Sequence, residues 1–293
     1  MAVGGLDGGT GFVGVAGWSR GGARRGRTVM SERSLLVVGA GRLGLRVGQL
    51  WKQGRVVAET RSDKRHEELR KAGLSPRVRG EGRDEKFDYV AITMSPSGND
   101  DYAGEVQSAC GLWNGSGNLV FTSSGGVYGT DVDTVTVEDS KTHDTGERVQ
   151  RLLSAEQRVL DSGGCVVRLA GLYDRFVGAH NIWLNMKEVA GRPDALVNLV
   201  HYDDAATLVL KALEADGAKV AGKVLLAADC VPISRYEICE AAKRDPAYAE
   251  KDIPDFTSNE GPRGKRYDNS YTRELLHWKP MHVSFAEYMA KQR

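Results

Sequence analysis

The chain has 293 residues, with 40 basic and 39 acidic side chains and a formal charge of +1 at pH 7. This balance gives no overall field that would attract nucleic acid or a membrane surface, so we expect neither as a partner. The apolar runs are strand-sized, well short of the roughly 20 residues that cross a bilayer, so no membrane span is predicted. The four cysteines form no C-x-x-C pair, which predicts reduced thiols and no metal site.

The first 33 residues differ in composition from the rest of the chain. They are rich in glycine and arginine, and Asp7 is the only acidic residue before Glu32. An acid-poor, arginine-rich start is typical of organellar transit segments, which indicates a chloroplast or another organelle. The alternative is a flexible N-terminal tail of biased composition on a cytoplasmic protein.

From Ser34 onward, strand-like apolar runs alternate with segments of helical period, the pattern of a parallel sheet covered by helices. The predicted strands are Leu35–Val38, Arg55–Ala58, Tyr89–Thr93, Asn118–Phe121 and Val166–Leu169. The predicted helices are Leu43–Trp51, Asp63–Ala72, Tyr102–Cys110 and Glu147–Leu160. We therefore predict an α/β fold with a doubly wound parallel Rossmann sheet, whose dinucleotide-binding domain covers residues 34–170.

Past residue 171 the alternation is less regular. The predicted elements are a helix near Ile182–Val189, a short run at Leu196–His201, a helix at Asp204–Leu213, a strand at Val224–Leu226 and a polar loop at Ala249–Gly264. We assign residues 171–293 to a smaller C-terminal substrate-binding lobe, interleaved with the Rossmann core.

A G-x-G-x-x-G sequence, Gly39-Ala40-Gly41-Arg42-Leu43-Gly44, joins the first predicted strand to the first predicted helix. In this context Gly39 permits a tight turn, Gly41 lets the backbone approach a pyrophosphate, and Gly44 allows close packing of helix and strand. The helix N-terminus offers free N–H groups to the phosphates. We predict a dinucleotide site here, with Arg42 and Leu43 among its contacts.

A second glycine-rich match, Gly8-Gly9-Thr10-Gly11-Phe12-Val13-Gly14, has no strand before it and a poor helix after it, so we reject it as a cofactor site. Thr93 and Ser123, which end two later strand-like segments, complete the predicted cofactor contacts.

The residues after the second predicted strand indicate which dinucleotide binds. An acid there binds the ribose 2′-hydroxyl of NAD, whereas a base accepts the 2′-phosphate of NADP. Arg61 occupies that position, with Lys64 and Arg65 nearby, which favours NADP. Glu59 supports NAD instead, because it lies close to the expected spacing of about 20 residues from the first glycine. The third interpretation is that these are solvated surface charges.

Three later segments resemble the extended short-chain dehydrogenase/reductase family, which contains nucleotide-sugar epimerases and dehydratases. They are Phe121-Thr122-Ser123-Ser124-Gly125-Gly126-Val127-Tyr128-Gly129, Arg168-Leu169-Ala170-Gly171-Leu172-Tyr173, and Asn198-Leu199-Val200-His201-Tyr202-Asp203-Asp204-Ala205-Ala206. The resemblance covers about residues 34 to 290. It implies that Ser124 takes the place of the catalytic serine, which hydrogen-bonds a substrate oxygen, and that the third segment supports the site structurally.

One departure from the family pattern concerns its proton relay. Active members carry a Tyr and a Lys at positions i and i+4 of a helix, where the Lys lowers the pKa of the phenol so that it can exchange a proton. Alignment on Glu156 places Arg148 and Leu152 at these two positions. Arginine stays protonated and leucine has no proton to give, so neither side chain can replace the pair. This combination resembles the atypical, YeeZ-like branch of the family.

The sequence leaves several other polar residues open. Tyr128 is expected to pack its ring in a turn rather than to ionise, and His201 to be a hydrogen-bonded structural histidine rather than a base. His143, Asp144 and His180 fall in predicted loops that could face the cleft.

Two functions from different classes follow. The first is an NADP-binding, epimerase/dehydratase-like oxidoreductase acting on a small or nucleotide-sugar-like substrate, with Ser124 and Arg148 as its catalytic residues. The second is a non-catalytic NADP-binding protein, such as a redox sensor or a subunit of a larger assembly. The fold does not distinguish these functions.

Overall fold

The structure is a computed structural model that describes residue 1 and residues 33–129, 135–143 and 145–292. The expected transit segment, the rejected match Gly8–Gly14 and the candidate Asp144 lie outside the described residues. Residues Glu32–Arg293 form one compact unit.

The secondary structure alternates between strands and helices along most of the chain. The strands are β1 (Leu35–Val38), β2 (Val56–Thr60), β3 (Ser75–Val78), β4 (Tyr89–Ile92), β5 (Leu119–Ser124), β6 (Val135–Thr136), β7 (Cys165–Leu169), β8 (Gly171–Tyr173), β9 (Glu188–Val189), β10 (Leu196–Val197), β11 (Leu199–His201), β12 (Val224–Ala227), β13 (Ile233–Ser234), β14 (Asp255–Phe256) and β15 (Arg266–Tyr267). The helices are α1 (Arg42–Leu50), α2 (His66–Lys71), α3 (Tyr102–Cys110), α4 (Glu147–Asp161), α5 (Ala179–Trp183), α6 (Tyr202–Glu214), α7 (Gly217–Val220), α8 (Arg235–Ala242), α9 (Ser270–Leu276) and α10 (Phe285–Ala290). Single turns of 3₁₀ helix cover Asp63–Arg65 and Gly125–Val127.

A parallel sheet of seven strands, in the order β12-β7-β5-β4-β1-β2-β3, forms the centre of the fold. Leu35 of β1 pairs with Val56 on one side and with Tyr89 on the other. The chain runs from β1 to β3 toward one edge and then continues at β4 on the opposite side of β1. The carboxyl ends of β1 and β4 therefore flank the switch point at which such sheets bind ligands. The predicted doubly wound Rossmann-like fold is confirmed.

Both faces of the sheet are buried, which explains why its strands are apolar runs rather than alternating sequences. In β1, Leu35 and Val37 pack toward α1 and α6, whereas Leu36 and Val38 pack toward α3 and α4. All four side chains of this strand are at most 1% exposed. The strand directly before the glycine turn is therefore packed on both sides.

The C-terminal part of the chain contributes both to the central sheet and to smaller structures. β12 adds an edge strand to the sheet beside β7. The pairs β8–β11, β9–β14, β10–β13 and β6–β15 are separate two-stranded ribbons, and a further apolar cluster includes Tyr173, Ile238 and Phe285. The proposed boundary at residue 170 stays a prediction.

Two predicted elements of this part differ from the structure. The helix expected at Ile182–Val189 is wrong: α5 ends at Trp183, and β9 takes up Glu188–Val189 because it pairs with β14. The expected loop Ala249–Gly264 contains that partner strand. In both places a long-range strand pair overrides the local pattern. Within the described part of the chain, no helix is long and apolar enough to span a membrane.

Candidate functional site

A cleft of about 870 Å³ lies at the carboxyl ends of β1, β2, β4, β5 and β7. Parallel strands bring residues that are far apart in sequence to this one edge. The cleft is lined by most of the predicted site residues, namely Gly39, Gly41, Arg42, Leu43, Arg61, Thr93, Ser123, Ser124 and Arg148. Gly44 is the predicted site residue that does not line it.

The glycine turn has the geometry that its sequence predicts. Gly39 has a φ of +88°, and a Cβ there would lie 2.5 Å from Met94 Cα. A Cβ on Gly44 would lie 2.5 Å from Thr93 Oγ1 and 2.8 Å from Gly39 O. A Cβ on Gly41 would meet no protein atom closer than 3.8 Å. Packing within the protein therefore excludes a side chain at Gly39 and at Gly44, whereas the space next to Gly41 is open to the cleft.

Hydrogen bonds fix the turn to the neighbouring strands. The N–H groups of Gly39 and Ala40 both donate to Glu59 O, at 2.9 and 3.1 Å. Thr93 Oγ1 donates to Gly39 O at 2.9 Å. Helix α1 begins directly after Gly41, so the N–H groups of its first turn, which have no partner within the helix, lie beside the cleft. The turn and the helix dipole together favour an anionic group there.

The end of the cleft beside β2 is basic. Arg61, Lys64 and Arg65 line it together with Arg42. Arg65 is held in place, because Nη1 donates to Ala40 O at 3.1 Å and the side chain pairs with Glu68. Among the described residues, no carboxylate lies within 4 Å of the charged groups of Arg61 or Lys64. These two exposed cations are therefore available to an anionic ligand.

Glu59 does not face this end of the cleft as a free acid. Its side chain is 6% exposed and pairs with Arg77, whose Nε donates to Glu59 Oε2 at 3.0 Å. Burial raises the pKa of this carboxyl, and the charge of Arg77 opposes that rise. Arg79, which lines the cleft, lies 3.9 Å from Glu59 Oε1. Glu59, the acidic residue considered for the ribose hydroxyl, is therefore paired with Arg77 and lies close to Arg79.

Hydroxyl groups line the opposite part of the cleft, where β5 ends. Ser124 is half-buried, and its Oγ accepts a hydrogen bond from Gly126 N at 3.1 Å. Ser123 is 5% exposed, and its buried Oγ has no partner among the described residues. A buried hydroxyl without a partner is uncommon and indicates that a ligand or water completes it.

Helix α4 presents Arg148 and Leu152 to the same part of the cleft. The two residues are one turn apart, as the sequence predicts. Arg148 is exposed and makes no hydrogen bond or ion pair with another described residue. Leu152 is 3% exposed and packs in the apolar layer between α4 and the sheet. Glu156, on which the alignment depends, is buried and binds Arg168 at 2.7 Å.

The other phenol and imidazole candidates, Tyr128, His143 and His180, do not line the cleft. Tyr128 is 1% exposed, its hydroxyl donates to Glu138 O at 2.8 Å, and burial raises its pKa. This agrees with its expected packing role. His143 bonds to Thr145 Oγ1 and Gly126 O and does not line the cleft. His180 is buried against Tyr248, away from the cleft.

His201 is a structural residue, as expected. Its Nδ1 accepts a hydrogen bond from Asp203 N and so caps α6, and its ring lies 3.8 Å from that of His282. Burial and the neighbouring His282 lower the pKa of His201 to about 4. Asp204 is fully buried and accepts hydrogen bonds from Met281 N, His282 N and His282 Nδ1. These bonds attach the last helical segment to α6.

Two phenols do line the cleft. Tyr102 donates its hydroxyl to Met94 O, and burial raises its pKa. Tyr202 lies beside Arg46 near the start of α1, and burial raises its pKa as well. Neither phenol lies on α4, the helix on which the alignment places the family's tyrosine.

Lys265 is a candidate site residue that sequence reasoning missed. It follows a polar loop and belongs to no motif, yet its Nζ lies 2.5 Å from Tyr128 O, 2.9 Å from Gly129 O and 3.3 Å from Gly125 O. Burial lowers its pKa to about 8. Only the folding of the C-terminal lobe against the turn after β5 brings it next to Ser124.

Solved structures with the same architecture bind nucleotide sugars and NAD. UDP-glucose 4-epimerase from Thermotoga maritima, solved with UDP-glucose, has 16% identity and a TM-score of 0.71, with 88% of this chain and 97% of that chain covered. dTDP-glucose 4,6-dehydratase from Bacillus anthracis, solved with NAD, has 13% identity and a TM-score of 0.72, with 89% and 95% covered. A conserved protein of unknown function from Silicibacter pomeroyi has 17% identity and a TM-score of 0.70, with 88% and 96% covered.

No protein-family model matches the chain, and no curated protein matches its sequence. The likeness therefore rests on three-dimensional structure and concerns the fold. It supports the predicted resemblance at that level, whereas the YeeZ-like branch stays a prediction. The chain has the Rossmann-like fold of the NAD-dependent nucleotide-sugar epimerases and dehydratases.

Proposed function

We propose that the cleft binds NADP(H), and that the protein is an epimerase/dehydratase-like atypical short-chain dehydrogenase acting on a small or nucleotide-sugar-like substrate. The observation that carries this proposal is the distribution of charge around the glycine turn. Arg61 and Lys64 are free at the end of the cleft where the adenosine ribose would lie, whereas Glu59 is buried against Arg77.

The cleft fits a dinucleotide at three points. The N-terminus of α1 would receive the pyrophosphate, since Gly41 leaves space in front of it. Arg61 and Lys64 would bind the 2′-phosphate through charge-assisted hydrogen bonds. The partnerless Oγ of Ser123 lies at the end of β5, where the other half of the cofactor would reach. The NAD complex of the Bacillus anthracis dehydratase supports a nicotinamide dinucleotide in this fold.

A bound nicotinamide would supply or accept a hydride. Around it, Ser124 would donate a hydrogen bond to a substrate oxygen, and Arg148 would stabilise negative charge on that oxygen or on a neighbouring group. Arg148 cannot serve as the proton donor, because its guanidinium stays protonated. Leu152 provides an apolar wall that excludes water from the helix side. These residues thus bind and polarise a substrate without the family's Tyr and Lys.

Titration of the full-length protein with NADPH and NADH tests the cofactor. We expect NADPH to bind at least tenfold more tightly than NADH, since a charge-assisted contact contributes about 1.5–3 kcal/mol. Equal affinities would contradict the proposed role of the basic end. Oxidation of NADPH in the presence of a carbonyl panel, followed by its absorbance, then tests for catalysis.

A non-catalytic NADP-binding protein is the second candidate function. It is favoured by the position of the family's proton relay on α4, where Arg148 and Leu152 supply no proton donor. Tight NADPH binding without oxidation by any carbonyl of the panel would favour this candidate over the enzyme.

A further inference from the structure

A second cavity of about 250 Å³ adjoins the cleft at the end of β5. The two cavities share Ser124, Leu169, Ala170 and Gly171. On its far side the smaller cavity is bounded by residues of the C-terminal lobe, chiefly Asn198, Lys265 and Tyr267. Its position beside Ser124 makes it the space that a substrate would occupy next to a bound cofactor.

Lys265 is a cation without an anionic partner in this cavity. Its Nζ contacts three backbone carbonyls, and it lies 5.6 and 5.7 Å from the ring centres of Tyr128 and Tyr267. No carboxylate among the described residues lies within 4 Å of it. Carbonyl oxygens stabilise an ammonium group through their dipoles but do not neutralise it. The contact with Gly125 O is the longest of the three, so a ligand anion could replace it at the lowest cost.

The other charged residues that line the two cavities also favour an anionic ligand. The described residues that line the two cavities include seven cations and no acid, and these cations are Arg42, Arg61, Lys64, Arg65, Arg79, Arg148 and Lys265. The first four lie around the glycine turn and the end of β2, where the cofactor phosphates would lie. Arg148 lines the larger cleft together with Ser124, and Lys265 lines the smaller cavity together with Ser124. Their charge is left for the substrate.

We infer that a small substrate binds beside Ser124, where the two cavities meet, and that its carboxylate group is bound by Lys265 of the smaller cavity and Arg148 of the larger cleft. This inference rests on the proposed function, since it takes the larger cleft to be filled by NADP(H). Guanidinium and ammonium groups are the side chains that recognise carboxylates in proteins. The substrate class is therefore a small oxo or hydroxy acid.

The size of the cavity supports a small acid over a nucleotide sugar. The cavity has a volume of about 250 Å³, which is below the roughly 300–1,000 Å³ of pockets for drug-sized ligands. A nucleoside diphosphate sugar is larger than such a cavity. With the larger cleft filled by the dinucleotide, such a molecule would extend out of the site.

Binding to the NADP⁺-loaded full-length protein tests the inference by calorimetry. The probes are pyruvate and levulinate, which place the carbonyl at two distances from the carboxylate, together with pyruvamide and levulinamide as neutral analogues and UDP-glucose as the nucleotide sugar. We expect at least one acid to bind ten or more times tighter than its amide, and UDP-glucose to bind more weakly than that acid.

Two substitutions locate the carboxylate. Arg148→Gln removes an exposed charge and is expected to lower the acid-to-amide affinity ratio about tenfold. Lys265→Met should lower the same ratio, and because a ratio is measured, a partial loss of stability in the turn after β5 does not mimic the effect. Arg158→Gln, an exposed arginine on α4 that lines neither cavity, is the matched control and should leave the ratio unchanged.

The outcomes separate this inference from the proposed function. If NADP⁺ does not bind at all, both are overturned. If NADP⁺ binds but acids and amides bind equally, or UDP-glucose binds and the acids do not, the carboxylate site is wrong and the cofactor assignment stands. An acid preference that survives both Arg148→Gln and Lys265→Met would also overturn the inference.

Discussion

Arg77 binds Glu59 inside the central sheet, with Nε donating to Oε2 across 3.0 Å and both side chains about nine-tenths buried. The two residues are register partners on the neighbouring strands β2 and β3. The pair occupies Glu59, the acid considered above for a ribose hydroxyl, and leaves Arg61 exposed at the same end of the cleft.

Substitution of Arg61 tests the preference for NADP. Arg61→Ala should weaken NADP(H) binding about tenfold or more and leave NAD(H) binding nearly unchanged, because the lost contact is a charge-assisted bond to the 2′-phosphate. Arg70→Ala, an exposed arginine at the end of α2 that does not line the cleft, is the control. Equal losses for the two cofactors would show that Arg61 does not bind the 2′-phosphate. Fluorescence titration of the parent and the two variants with NADPH and NADH measures these affinities.

Substitution of Glu59 separates a structural role from a cofactor role. Glu59→Gln leaves the buried Arg77 with a weaker partner, and breaking a buried ion pair costs up to about 3–5 kcal/mol. We expect a lower free energy of unfolding in urea and an unchanged ratio of NADPH to NADH affinity. A tenfold shift of that ratio toward NADPH, with stability unchanged, would mean that Glu59 binds the ribose.

Alanine substitutions of Gly41 and Gly44 should have different effects on stability and dinucleotide affinity. Gly44→Ala forces a Cβ to within 2.5 Å of Thr93 Oγ1, so we expect a loss of stability of about 1–3 kcal/mol. Gly41→Ala meets no protein atom closer than 3.8 Å, so the protein should keep its thermal midpoint and lose dinucleotide affinity. Gly11→Ala, in the rejected glycine-rich match, should change neither quantity. Loss of affinity in the Gly11 variant alone would place the cofactor at the other match.

Restoring the missing relay tests the interpretation of α4. General acid–base catalysis contributes about 10²–10⁴ in rate, so the parent should oxidise NADPH only slowly with carbonyl substrates. With a neutral carbonyl at saturating concentration, the double variant Arg148→Tyr, Leu152→Lys should have a higher kcat than the parent, whereas its KM for an acid should rise because Arg148 is lost. If the parent turns over at about 1–10³ s⁻¹, and the double variant is slower, then other residues supply the proton.

Asp229 should make stability depend on pH. It is 5% exposed, its Oδ2 has no partner among the described residues, and burial raises its pKa to about 7. Between about pH 4 and pH 7 the folded protein therefore holds a proton that the unfolded chain has lost, so the contribution of this group to stability falls as the pH rises. In Asp229→Asn the thermal midpoint should fall less from pH 5 to pH 8 than in the parent. Parallel midpoints for parent and variant would contradict the assignment.

The sequence by itself determined the features that depend on neighbouring residues. Four consecutive apolar residues, a glycine turn and a helix of regular period are encoded within Leu35–Leu50, and the structure has all three in place. The spacing of Arg148 and Leu152 likewise fixed their shared helix face, because residues four apart in a helix lie on one side. The strand-and-helix alternation was sufficient to predict the doubly wound sheet.

Which charged side chains form ion pairs and which stay unpaired could be decided only from the tertiary structure. Glu59 and Arg77 are 18 residues apart, and Lys265 lies 140 residues beyond Gly125, so no local pattern connects them. The same holds for β9 and β14, two-residue strands that exist because they pair with each other. Local periodicity is set by contiguous residues, whereas register, ion pairing and the approach of the C-terminal lobe depend on how distant segments pack. The position of the glycine turn could therefore be predicted from the sequence, whereas the charges near Ser124 could not.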